Sequence, residues 1–129
     1  INPKIKVIGV QSAQAPAMQQ SWKSGQPVTA QMETFAEGIA TRVPFENTQQ
    51  MMARYLDDFV LVEDTDIKKA IITILEHTHN LAEGAGAAPL AAALKIKEQL
   101  VGKKVALVMS GGNLSVEKLT NILNTQVGF

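Results

Sequence analysis

Lys104-Val105-Ala106-Leu107-Val108-Met109-Ser110-Gly111-Gly112-Asn113 is the stretch whose reading decides the fold, and a helix-like run from Val116 to Leu123 follows it. Val105 to Met109 is an unbroken apolar run, too short for a self-standing helix and suited to a strand buried on both faces. Ser110-Gly111-Gly112-Asn113 then breaks that strand sharply. Ser115 is placed to cap the next helix, with Leu114 and Leu119 at the positions of a hydrophobic staple. In an open parallel sheet this order of strand, small polar turn and helix puts Ser110 at the carboxyl end of a strand, where such sheets bind ligands.

Working outward from there, Lys6 to Val10 predicts a second short buried strand, with Gln11-Ser12-Ala13-Gln14-Ala15-Pro16 after it. Pro16 opens a helix as its first residue, Met18 and Trp22 lie one turn apart on its inner face, and Gly25-Gln26-Pro27 ends it. Asn47, with Gln50 three residues on, caps a helix over 48–56 whose inward residues are Met51, Met52 and Tyr55. Phe59 to Val62 is the third strand. Asp64 or Thr65 caps a long helix with Ile67, Ala70, Ile71, Ile74, Leu75 and Thr78 on one face, and its acidic start complements the helix dipole. Ala82-Glu83-Gly84-Ala85-Gly86-Ala87-Ala88 is a hinge of small residues into a helix carrying Leu90, Ala91, Leu94 and Leu100. Small residues there let the backbone approach a neighbour or a ligand closely.

Three apolar strands separated by helices define an α/β class, a parallel sheet flanked by helices. Three strands are few for a freestanding doubly wound domain, so further strands are expected from chain beyond these 129 residues. The opening on Ile1 without a methionine fits a processed product or a piece of a longer chain. Twelve basic and twelve acidic side chains cancel, which leaves no surplus to steer the chain to nucleic acid or an anionic membrane. The absence of cysteine rules out a disulfide framework and thiolate zinc sites. No apolar run approaches membrane-spanning length, and no signal peptide is visible.

Three segments, in order, carry a family resemblance: Ala36-Glu37-Gly38-Ile39-Ala40, Glu83-Gly84-Ala85-Gly86-Ala87 and Ser110-Gly111-Gly112-Asn113. Together they resemble the C-terminal half of the threonine and serine dehydratases, pyridoxal-phosphate (PLP) enzymes of the tryptophan-synthase-like group, with serine racemase a close relative. The resemblance spans residues 1–129 and implies that they form the C-terminal portion of the large cofactor domain. It implies PLP as cofactor and a small amino acid, threonine or serine, as substrate. The implied products are a 2-oxo acid and ammonia. A cytoplasmic homo-oligomer serving amino-acid metabolism, isoleucine biosynthesis included, goes with it.

Carried over residue by residue, Ser110 resembles the serine that hydrogen-bonds the pyridine nitrogen, with Gly111 beside it. Gly38 and Ile39 resemble backbone lining beside the ring, and Glu83 the helix start packed near it. The family's cofactor-bearing lysine in a Ser-Phe-Lys context and its glycine-rich phosphate loop are absent from these residues, and so is its smaller domain. The 129 residues alone are therefore expected to be inactive. Relatives with a divalent cation near this region carry Gly-Val-Glu and a further acidic residue; here Gly9-Val10-Gln11 and Ala17 stand instead. Such cations want charged oxygens, so no metal is expected.

Blander readings stand beside these. A turn serine commonly satisfies local backbone groups, and Ser110 gains its cofactor role only from the company of the other two segments. Gly111-Gly112 before a helix would also suit a phosphate, but no Lys-Ser or Lys-Thr follows the glycines. Glu83 reads equally as a solvated charge. His77 and His79 point to different faces of a helix, and Glu76, His79 and Glu83 meet only if the helix runs on through Asn80 and the glycines, which argue against it. The rival functions are a serine racemase or another β-eliminating PLP enzyme, and a non-catalytic α/β module for a phosphorylated ligand.

Overall fold

Two of the three apolar runs pair. In the computed structural model, which describes residue 2 and residues 4–127, β1 (Ile8–Ser12) lies parallel to β2 (Asp58–Val62). Their register sets Ile8 opposite Asp58 and Ser12 opposite Val62. β1 begins two residues later than the sequence suggests, because Val7 is taken by Asp57. The Val7 N–H donates to Asp57 Oδ2 at 2.8 Å and the Asp57 N–H to the Val7 carbonyl at 2.9 Å. The ladder starts immediately beyond that clamp.

Helices α1 (Ala17–Ser24), α2 (Glu46–Tyr55), α3 (Asp64–Thr78), α4 (Gly84–Lys95), α5 (Lys97–Leu100) and α6 (Val116–Val127) flank the pair, with a 3-10 turn at Glu37–Ile39. Pro16 precedes α1, and Gly25 ends it with φ of 70°, a left-handed conformation that glycine adopts without Cβ strain. α6 starts as expected: the Lys118 N–H donates to Ser115 Oγ at 3.2 Å, and Leu114 and Leu119 both pack against the core. α3 is capped differently. Asp64 lies inside its first turn, and neither it nor Thr65 serves as the cap. Gln14, from the loop after β1, accepts the Asp64 N–H on Oε1 at 3.0 Å instead.

The core is built from Val62, Ile67, Ala70 and Ile71 packed on the alanine face of α4, with Ala36 and Ile122 closing it. α4 buries Ala87, Ala88, Ala91 and Ala92 and leaves Leu94 about half exposed, so its inner face is the small one rather than the leucine one. Short side chains let α4 lie close to both α3 and the sheet, and a leucine there would hold them apart. The small-residue run around Gly84 is the opening of α4 rather than a hinge before it.

Two expectations fail outright. α2 buries none of its residues: Met51 and Tyr55 are exposed, and the helix begins at Glu46 after Phe45 rather than after an Asn47 cap. Polar ties hold it to α1, with Trp22 Nε1 donating to the Met52 carbonyl at 3.2 Å and Gln49 Nε2 to the Met18 carbonyl at 3.0 Å. Val105 to Met109 joins no ladder among the described residues, and Val105, Leu107, Val108 and Met109 are between 43% and 71% exposed. An apolar run becomes a buried strand only when neighbouring strands take its backbone groups. The β1–β2 pair does not extend to it. No helix among the described residues is long and apolar enough to cross a membrane.

Candidate functional site

The three singled-out segments, far apart in sequence, meet at one place beside the start of α4. Their fit depends on glycine. A Cβ on Gly38 would stand 2.8 Å from Ala85 Cβ, and one on Gly84 would stand 2.8 Å from Ala36 Cβ. A Cβ on Gly86 would stand 2.5 Å from the Gly111 carbonyl oxygen, and one on Gly112 would stand 2.6 Å from the Leu81 carbonyl oxygen. Gly86 and Gly112 thus pack main chain on main chain, and Gly38 and Gly84 pack on the methyl groups of Ala85 and Ala36, contacts that any larger residue would prevent.

Glu83 links the second segment to the third. Its N–H donates to the Gly111 carbonyl at 3.1 Å, and its Oε2 accepts the Asn113 N–H at 3.1 Å. It makes no cap bond to its own helix. Rather than a solvated charge, Glu83 is the half-buried clamp on the turn that follows Ser110. Ser110 itself is exposed, and its hydroxyl takes no hydrogen bond among the described residues. Ile39 packs its side chain against the core, while Gly38 lies at the surface of the 3-10 turn.

A cavity of about 150 Å³ opens between these segments, bordered by Gly38, Glu83, Ala85, Asn113 and Lys118. At its rim Lys118 Nζ lies 2.6 Å from Glu37 Oε1. The Lys118 hydrogen bond and then its charge hold the Glu37 carboxyl below the usual value of 4.5. Both groups are exposed, so the pair is a weak tie.

Gln11, at the position where a metal-holding relative would carry a carboxylate, is 3% exposed and committed to protein partners. Its Nε2 donates to Thr41 Oγ1 at 2.7 Å and to the Ile39 carbonyl at 3.4 Å, and its Oε1 accepts the Gln19 N–H at 3.1 Å. His79 closes α3 in a left-handed conformation, φ 58°, so Glu76, His79 and Glu83 share no helix face. No group of three or more His, Cys, Asp or Glu side chains comes together among the described residues.

The sequence offers Asp64 as a possible cap and gives Asn113 and Lys118 no separate role. Asp64 instead gathers Ser12, Thr34 and Phe35, and Asn113 acts through its backbone N–H. No local spacing signals either, because the partners lie 29 to 52 residues away.

A parallel strand pair flanked by helices, beside a cavity bordered by glycine backbone, is the setting of a small-molecule or cofactor domain. Residues 1–111 match the family described as pyridoxal-phosphate dependent enzyme, and the chain belongs to that family. It is 41% identical over 125 residues to the L-threonine ammonia-lyase of Thermotoga maritima, covering 96% of this chain and 31% of that one. Among solved structures, the processed form of threonine deaminase isoform 2 from Solanum lycopersicum superposes with a TM-score of 0.87. That match has 30% identity and covers 99% of this chain and 38% of that one. Serine racemase from Dictyostelium discoideum gives a TM-score of 0.79 at 31% identity, over 89% of this chain and 37% of that one. The chain therefore spans about a third of the length of the Thermotoga relative, 31%.

Proposed function

We propose that these residues are the C-terminal portion of the large cofactor domain of an enzyme that deaminates L-threonine or L-serine to a 2-oxo acid and ammonia. The observation that carries this is the convergence of Gly38, Glu83 and Gly111 on one glycine-packed junction beside Ser110. The family is PLP-dependent, and the residues present fit that cofactor. The exposed Ser110 hydroxyl, which takes no hydrogen bond among the described residues, is free to donate to a ring nitrogen, and Gly38, exposed at the border of the cavity, presents backbone without a side chain to it.

In this reading Ser110 donates to the pyridine nitrogen, Gly38 and Ile39 line the ring with backbone, and Gly111 keeps the turn narrow. Glu83 fixes the turn through Gly111 and Asn113. PLP, when bound, supplies an electron sink for the pair released as the substrate α-proton leaves. Ser110, as a neutral partner, does not favour protonation of the ring nitrogen as a carboxylate would, which favours prompt loss of the β-hydroxyl over transamination. The lysine that bears the cofactor and the phosphate loop belong to the remainder of a longer protein. A cytoplasmic homo-oligomer, placed in amino-acid metabolism such as isoleucine biosynthesis, completes the proposal.

The test is ammonia and 2-oxo acid release from threonine and serine by the full-length protein, with and without PLP. PLP-dependent release from either substrate is expected, and its absence from both overturns the reading. The likeness to a serine racemase supports a second outcome, D-serine formation, which chiral analysis of the same reaction detects. Membership of an enzyme family stands against the non-catalytic phosphate-binding module.

A further inference from the structure

Asp64 stands one layer behind the proposed ring-lining backbone. It lies in the first turn of α3, half-buried, and its carboxylate receives three donors from two other parts of the chain. Oδ1 is 2.7 Å from Ser12 Oγ, at the carboxyl end of β1, and 2.7 Å from Thr34 Oγ1. Oδ2 accepts the Phe35 N–H at 3.1 Å. Three converging donors call for a group that accepts on both oxygens, which a carboxylate does and an amide does not. Ser12 is fully buried and also lies 3.1 Å from Gln14 Oε1. It has one proton, and the shorter distance assigns that proton to Asp64.

The chain of bonds continues toward the site. Thr34 Oγ1, while donating to Asp64, accepts the Ala36 N–H at 3.1 Å. Ala36 is 1% exposed and sits under Gly84. Two residues on, Gly38 rests on Ala85. The segment from Thr34 to Ile39 is therefore hung at one end from Asp64 and seated at the other on the glycine-alanine start of α4. Asp64 makes two directional bonds to this segment, at 2.7 and 3.1 Å, whereas Gln11 Nε2 reaches the Ile39 carbonyl only at 3.4 Å and the Lys118–Glu37 pair is exposed.

We propose that Asp64 is a positioning residue for the cofactor: without touching the ring, it sets the height and tilt of the Gly38–Ile39 backbone that flanks it. The proposal rests on the ring-lining role of Gly38 and Ile39 given above. It separates Asp64 from a residue that merely stabilises the fold, because the ring's orientation should change even in protein that remains folded.

The experiment uses the full-length holoenzyme and three variants, Asp64→Ala, Asp64→Asn and Thr34→Val. Four quantities are measured: PLP dissociation constant, visible circular dichroism of bound PLP, kcat and KM for threonine, and melting temperature. Removing charge-assisted bonds in Asp64→Ala should raise the PLP dissociation constant roughly tenfold. The visible dichroism should change in size or sign, and kcat should fall more than KM rises. Asp64→Asn, which keeps an acceptor for Phe35, should recover part of each effect.

Wild-type PLP affinity and dichroism in folded Asp64→Ala overturn the proposal, whatever happens to its melting temperature. If Asp64→Ala does not fold, Thr34→Val decides, since it removes one donor and leaves the carboxylate in place. A change in dichroism in that variant supports the proposal, and wild-type values overturn it. A wild-type protein that binds no PLP sinks this inference and the proposed function together. A wild-type holoenzyme with indifferent variants sinks the role of Asp64 alone.

Discussion

Glu83 and Gly111 are locked together twice. The Glu83 N–H donates to the Gly111 carbonyl at 3.1 Å, and the Glu83 carboxylate fills the space that a side chain on residue 111 would need, 2.5 Å from a Cβ placed there. Gly111→Ala should therefore drive the Glu83 carboxylate away and break its bond to the Asn113 N–H. Overpacking of this kind costs about 1–3 kcal/mol. In a Glu83→Ala background the same substitution should cost less, because the obstructing group is gone. Chemical denaturation of the four proteins of a double-mutant cycle measures the coupling, and strict additivity would refute this account of the turn.

Gly86→Ala should be the harsher change. In an open helix interior alanine is better than glycine by roughly 1 kcal/mol. Here the new Cβ would meet the Gly111 carbonyl oxygen at 2.5 Å, and a backbone atom cannot swing aside as a side chain can. The variant should lower the melting temperature despite its better helix propensity. A raised melting temperature would mean that α4 and the Ser110 turn are not in close contact.

Ser110 variants test the cofactor contact in the full-length enzyme. Ser110→Ala should weaken PLP retention by about one hydrogen bond, 0.5–1.5 kcal/mol. Ser110→Asp should favour a protonated ring, slow ammonia release and raise transamination by-products. Steady-state kinetics and cofactor titration read both. Wild-type behaviour in both variants would remove Ser110 from the ring.

Glu37 gives a pH prediction with a definite sign. Lys118 lowers its pKa in the folded state, so the folded protein holds this proton more weakly than the unfolded chain. The contribution of the pair is complete above the ordinary value of 4.5 and disappears as pH falls through the lower folded value. Carboxyl NMR should give Glu37 a midpoint below 4.5, and Lys118→Ala should move it upward. An unchanged midpoint in that variant would mean that the ion pair does not form in solution.

The 129 residues expressed alone should release no ammonia from threonine and should self-associate through the uncovered Val105–Met109 run. Val108→Lys, at a position 71% exposed, should reduce association without unfolding the core. Light scattering over a wide concentration range checks both. A monomer at every concentration would show that the run is harmless.

Legibility followed the range of the interactions. β1, β2, α3 and the Ser115 cap of α6 rest on local periodicity and nearby hydrogen bonds, and the chain announces them. The Val105–Met109 run is apolar, as its sequence shows, yet uncovered, because burial of a strand is a property of its neighbours. On α2 the apolar Met51 and Tyr55 suggested an inner face, whereas a tryptophan N–H and a glutamine amide make the attachment. At the site, residue types marked Gly38, Glu83 and Ser110. Their mutual contacts were not legible, since each joins segments tens of residues apart. Asp64 is the sharpest case: its neighbours in sequence suggest a helix cap, and its neighbours in space make it a support for residues 34–36.

The glycine junction also limits how such chains can be recombined. Residues 36–39, 83–87 and 111–113 were shaped against one another to within a methyl group. A chimera that takes one of these blocks from a distant relative brings side chains cut to a different mould. Crossovers that keep all three blocks from one parent should give folded hybrids. Those falling between residues 40 and 82, or between 95 and 110, should give hybrids that fail even when every individual segment is native to some parent. For this part of the fold the heritable unit is a set of three separated stretches, and the long helix between the first two can be exchanged only if Asp64 and its partners travel with it.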